Sequence, residues 1–117
     1  MSQSALQINN FTVETVSTNT QMQSFTGYIT NASGLITFTL PPTPNKGDII
    51  RVMGLSSGGW SIVQNTNQYI IFGDTNTTVS SGSLSSTKTG DCVLFMNVDS
   101  GGLVFMVLSS IGNLTVA

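Results

Sequence analysis

The side chains able to do acid–base or nucleophilic chemistry are few. The 117-residue chain has no histidine; its carboxylates are Glu14, Asp48, Asp74, Asp91 and Asp99, its thiol is Cys92, and its cations are Lys46, Arg51 and Lys88. Two carboxylates flanking a glycosidic bond can hydrolyse it. The five here are scattered, and Asp48 and Asp91 each follow a glycine and open a predicted strand, where a turn role is simpler. Without histidine there is no Ser-His-Asp or Cys-His constellation, no His-containing zinc site and no usual general base near neutral pH. Cys92 stands alone, which excludes an internal disulfide and a cysteine-based metal site. Within Asp91–Met96 it reads as a small buried hydrophobe. The expectation is a protein with no catalytic residues, no metal and no cofactor.

Binding chemistry has more candidates. Ser56-Ser57-Gly58-Gly59 runs into Trp60 and a predicted strand; a phosphate loop would end in Gly-Lys-Ser/Thr and open a helix. Asp74-Thr75-Asn76-Thr77-Thr78 offers calcium one carboxylate where six to eight oxygens are wanted, so a loop with Asp74 and Asn76 bonding nearby backbone is the simpler reading. Four Asn-x-Ser/Thr triplets, at Asn10, Asn31, Asn76 and Asn113, carry no meaning in a chain this rich in those residues. Trp60 beside two glycines has the shape of a sugar-stacking residue, although its alternation with Ile62 favours the core. Tyr28 and Tyr69 suit a rim. The candidate ligand-binding residues are therefore Trp60, Tyr69, Asp74 and Asn76.

These residues must be held by a scaffold whose composition is unusual. Charged residues make up 7% of the chain, against roughly 25% in ordinary soluble proteins. A net charge of −2 leaves no basic footprint for nucleic acid and no cationic face for a membrane surface. No apolar run approaches the roughly 20 residues of a membrane span, and Met1–Asn10 lacks the basic and apolar regions of a secretion signal. Uncharged Ser, Thr, Asn and Gln solubilise weakly, so part of the apolar surface is expected to be buried between subunits.

The length suits one domain. Residues 1–24, polar with scattered apolar residues and at most one short strand near Phe11–Val16, read as a connector. From Phe25 the rhythm is β: short β-branched and aromatic runs between Gly, Pro, Asn and Ser clusters. Predicted strands are Phe25–Thr30, Leu35–Leu40, Asp48–Met53, Trp60–Gln64, Gln68–Phe72, Asp91–Val98, Leu103–Leu108 and Leu114–Val116. Asp74–Lys88 reads as an irregular connection or a very short edge strand. Asp99-Ser100-Gly101-Gly102 is a hairpin signal. No helical periodicity appears, and no repeat of 20–50 residues is visible. The expected fold is all-β, an antiparallel, jelly-roll-like sandwich over residues 25–117.

Several phrases resemble the C-terminal tip domains of phage tail-fibre-like and bacterial trimeric fibre (adhesin) proteins. They are Gly-Asp-x-Ile-x-Val-x-Gly from Gly47 to Gly54, Gly-Gly-Trp-x-Ile-x-Gln-Asn from Gly58 to Asn65, and Gln68-x-Ile-x-Phe-Gly ending at Gly73. Gly82-Ser83-Leu84-Ser85-Ser86-Thr87, Asp91-x-Val and the closing Ser109-Ser110-x-Gly112-Asn113-x-Thr115-Val116 belong to the same set. The resemblance spans Thr26 to Val116, about three quarters of the chain. It implies a homotrimer on a fibre axis, extracellular, at a cell surface or on a virion. Such a tip would contact a cell-surface glycan or protein, or else only trimerise and cap the shaft. Phe105 stands where family members often carry a second Trp, and Asp74 where many carry Ser, Thr or Asn; no binding residue is carried over.

Overall fold

The computed structural model describes residues 11–117, all of it strand, turn and loop with no helix among them. Twelve strands form: β1 Thr12–Val16, β2 Thr20–Gln21, β3 Thr26–Thr30, β4 Ile36–Thr39, β5 Ile49–Met53, β6 Trp60–Val63, β7 Tyr69–Phe72, β8 Thr75–Asn76, β9 Ser83–Ser85, β10 Cys92–Asn97, β11 Val104–Ile111 and β12 Thr115–Val116. They build a seven-stranded sheet in the order β1-β3-β5-β10-β11-β7-β8 and a five-stranded sheet in the order β12-β9-β6-β4-β2. Buried side chains from both sheets share one core, a sandwich-like arrangement.

The sheets are mixed, which corrects the antiparallel jelly-roll expectation. From β1 to β7 successive strands alternate between the sheets, so every second strand returns to the first sheet running the same way. β1, β3 and β5 are parallel neighbours in one sheet, and β2, β4 and β6 in the other. The segment from Leu40 to Asp48 shows why no hairpin forms. Three prolines lack the N–H a ladder needs, and the chain crosses to the other sheet. Thr26 pairs with Ile50 and Ile36 with Trp60, a 24-residue offset in both sheets (50 − 26 and 60 − 36). This is a stacked structural unit without the sequence repeat that would have announced it. The second half supplies the antiparallel pairs, β5–β10, β10–β11, β7–β8, β6–β9 and β9–β12. Within Asp74–Lys88, β8 is a very short edge strand of the larger sheet as expected, whereas β9 lies inside the smaller sheet between β6 and β12, pinned by buried Leu84. The proposed connector also divides: β1, β2 and buried Met22 are built into the sheets, and residues 1–10 lie outside the described residues.

Strand alternation builds the core. In β4, Ile36 and Phe38 point inward while Thr37 and Thr39 point out; in β6, Trp60 and Ile62 point inward past Ser61 and Val63. Facing them are Tyr28, Ile50, Val52, Ile70, Val93, Phe95 and Phe105. Tyr28 packs on Phe38 with ring centroids 5.2 Å apart, and Phe95 meets Phe105 edge-on at 5.8 Å. Each such buried side chain contributes about 1.5–3 kcal/mol. At one end of the core, amides do what ions do elsewhere. Gln68 Nε2 donates to the Pro41 and Gly102 carbonyls at 2.9 and 3.1 Å, and its Oε1 accepts the Asn65 N–H at 2.8 Å. Gln64 Nε2 donates to Gln68 and Thr78 carbonyls, and Asn65 Nδ2 to Leu40.

Candidate functional site

The four candidate ligand residues separate. Trp60 is wholly buried and donates its indole N–H to the Asp91 carbonyl at 3.0 Å, so no sugar can stack on it. Tyr28 is buried as well, not at a rim; its hydroxyl accepts the Gln23 N–H at 2.7 Å. Burial pushes the Tyr28 phenol above its ordinary value. Tyr69, Asp74 and Asn76 share the β7–β8 hairpin but spread along it, Tyr69 opening β7 and Asp74 at the other end, where Gly73 and Asp74 form a two-residue turn between paired Phe72 and Thr75. Tyr69 is half-buried, and Asp74 and Asn76 are exposed. Asn76 Nδ2 donates to the Thr77 carbonyl at 3.1 Å.

Three carboxylates are occupied with local backbone. Asp48 accepts the Asn45 N–H at 2.9 Å. Asp99 Oδ1 accepts Leu103 and Val104 N–H, both at 2.9 Å, and the Asn97 amide. Donation from the Val104 N–H is the main reason its carboxyl sits below the usual carboxylate range. For Asp91, burial alone would raise the carboxyl. The Thr87 and Lys88 N–H groups and the Thr87 hydroxyl outweigh burial together, and the net direction is down. Among the described residues no three His, Cys, Asp or Glu side chains cluster as metal ligands.

What sets the molecule apart is the contrast between its two outer surfaces. On the smaller sheet the outward positions are Thr37, Thr39, Ser61, Ser83, Ser85 and Thr115, interrupted by Val63. Thr37, Ser61, Ser85 and Thr115 form one row, with Ser61 and Ser85 hydroxyls 2.8 Å apart. The larger sheet is largely apolar outside as well as inside, broken in the middle by Arg51 and Ser109. Ile49, Met96, Met106 and Ile71 lie side by side across β5, β10, β11 and β7, and Phe25 borders the row through its N–H bond to the Ile49 carbonyl. A second row holds Ile29, Met53, Cys92 and Ile111, a third Gly27, Arg51, Leu94 and Ser109. Tyr69 and Val104 extend the face beyond the first row. Ile111 is 67% and Leu108 49% exposed.

Cys92 belongs to this outer face and is half-buried, so it is not the core residue its sequence neighbourhood implied; β10 directs Val93 and Phe95 inward and Cys92 outward. Two adjoining hollows, of about 410 and 340 Å³, meet at Met53 and Cys92. Phe25 carries local strain. Its φ of 59° is a left-handed conformation that costs an ordinary residue about 1–2 kcal/mol, held while 38% of the residue stays exposed.

The sequence does carry a signal for this face that alternation alone misses. β5 (IIRVM), β7 (YIIF), β10 (CVLFMN) and the first half of β11 (VFMVL) are near-continuous apolar runs, the mark of strands covered on both sides. β4 (ITFT) and β9 (SLS) alternate cleanly. No protein-family model and no curated protein matches this chain.

Proposed function

We propose that this domain is a non-enzymatic, homotrimeric tip module of a virion or cell-surface fibre. Sister copies cover the outer face of its larger sheet, and the hydroxyl-lined smaller sheet is turned outward. The observation that supports it is the contrast between the two outer faces. A contiguous apolar surface of this extent on a chain with 7% charged residues calls for a partner, and a copy of the same chain is always present at equal concentration. The adhesin role, contact with a cell-surface glycan or protein, rests on the outward row of neutral hydroxyls, whose chemistry matches hydroxyl-rich ligands and which three copies would present together. Tyr69 stands on the apolar face and Asp74 at its rim, so the ligand surface moves away from them.

Mass in solution by light scattering is the first test. A trimer at micromolar concentration is the expected result; a stable, well-folded single subunit at that concentration overturns the proposal. Glycan arrays and intact target cells probed with the assembled protein then divide the two roles of a tip. Binding that is lost when Thr37 and Ser61 are both replaced by Lys establishes the adhesin role, and silence on both leaves the domain a trimerising cap.

A further inference from the structure

Among the described residues, Arg51 is the one charge set within the rows of the apolar face. Its cross-strand neighbours are Gly27 on β3 and Leu94 on β10, and it is exposed. Covering this face, as the self-association reading requires, would bury a guanidinium whose side chain has no acidic neighbour on the sheet. An unpaired buried cation costs several kcal/mol, so a covering surface must bring a counter-charge. The acids available are few. Asp48, Asp91 and Asp99 hold backbone N–H groups, and residues 1–10 contain no carboxylate side chain. Glu14 is exposed on edge strand β1, but it is in register with Tyr28, whose ring is buried, so it lies on the side of the sheet opposite Arg51. Asp74 remains, exposed in the β7–β8 turn at the rim of the same face.

The register places Asp74 where a sister copy can use it. Ile49 and Ile71 share a row, and β5 and β7 run in the same direction. Two residues further along, β5 reaches Arg51 and β7 reaches Gly73, next to Asp74. The two charges therefore stand at about the same height along the strands. Within one chain they are separated by three strand intervals, roughly 14 Å at ~4.8 Å each, too far to pair. Rotation about an axis parallel to the strands preserves height, so an axis set outside this face can place the β7–β8 rim of one copy against the β5 region of the next, a heterologous contact that closes into a ring.

We propose that Arg51 of each copy is neutralised across the subunit boundary by Asp74 of its neighbour. The inference rests on the self-association reading, and charge reversal separates the two. Arg51→Glu and Asp74→Arg are made singly and together, with Glu14→Gln as control, and assembly is followed by light scattering over a dilution series beside thermal melts. Both sites are on the surface, so each variant is expected to fold. Each single reversal should weaken assembly on the order of ten- to hundredfold, the double reversal should restore it to within about threefold, and Glu14→Gln should assemble as the unaltered chain does. An unaltered chain that assembles while the double reversal is as weak as the two singles combined overturns the Arg51–Asp74 pair and leaves self-association standing. An unaltered chain that stays monomeric overturns both.

Discussion

The backbone carbonyl of Asp91 accepts the Trp60 indole N–H and the Gly54 N–H, each at 3.0 Å, while its carboxylate gathers Thr87 and Lys88 N–H at 2.9 and 3.1 Å. One residue thus ties the largest core side chain to the turn that leads into β10. The fit is close: a Cβ on Gly112, whose φ is 94°, would lie 1.8 Å from Asp91 Oδ1. A turn role for this acid was legible in the sequence from the glycine before it. The tie to Trp60, 31 positions away in the chain, was not, because it passes through a backbone carbonyl that any residue carries. The carboxyls of Asp91 and Asp99 are both held below their ordinary value. A depressed carboxyl adds stability above the unfolded pKa of about 3.9, and that stability is lost as pH falls through the lower folded value. Melting temperature should be level from about pH 8 to 5 and fall below about pH 4. Asp91→Ala, which leaves the Thr87 and Lys88 donors without their acceptor, should cost about 1–3 kcal/mol at neutral pH and show a weaker acid-induced decline. Calorimetry across pH checks both, and an unchanged acid limb in Asp91→Ala counts against the assignment.

Strands were the readable level of this chain; the β10–β11 hairpin, signalled by Asp99-Ser100-Gly101-Gly102, was read with them, and the parallel pairings were not. Alternation in Ile36-Thr37-Phe38-Thr39 gives a strand and its inner face at once, but nothing within such a run says whether its neighbour will be parallel. That is decided by connections, and here the connections carry the chain to the opposite sheet. The Pro41–Pro44 crossing is held by Gln68, buried beneath it. A glutamine reads as surface, and only its three long-range or turn-closing partners reveal the role. Gln68→Leu keeps approximate volume but strands the Pro41 and Gly102 carbonyls and the Asn65 N–H without their partner. The expected cost is about 2–4 kcal/mol, read as a lower urea midpoint with an unchanged slope. A loss under 0.5 kcal/mol, roughly the range of ordinary surface changes, would show that the crossing is held by its prolines alone.

At the scale of the molecule, topology and surface together dictate how the chain must reach its working state. The expectation of apolar surface buried between copies came from composition, whereas the exposed apolar face on which the proposal rests appears only once β5, β7, β10 and β11, largely apolar on both sides, are set next to one another. Their pairings join distant segments: β5 bonds to β10 and β7 to β11, more than 30 residues apart in the chain. Contacts of that separation must absorb loop-closure entropy before they stabilise anything, which slows folding to milliseconds or longer. The folded subunit then exposes Met106, Leu108 and Ile111, the surface that the proposed assembly would cover. Refolding from denaturant should accordingly show two steps. The first, followed by Trp60 fluorescence as the indole enters the core, should be independent of protein concentration. The second, followed by light scattering, should accelerate in proportion to concentration. Met106→Lys places a cation in the middle of the outer face and leaves the core untouched, so it should preserve the first step and abolish the second. Loss of both steps together would mean that no subunit folds before it associates, and the two-sheet core would then be a product of assembly and not its precondition.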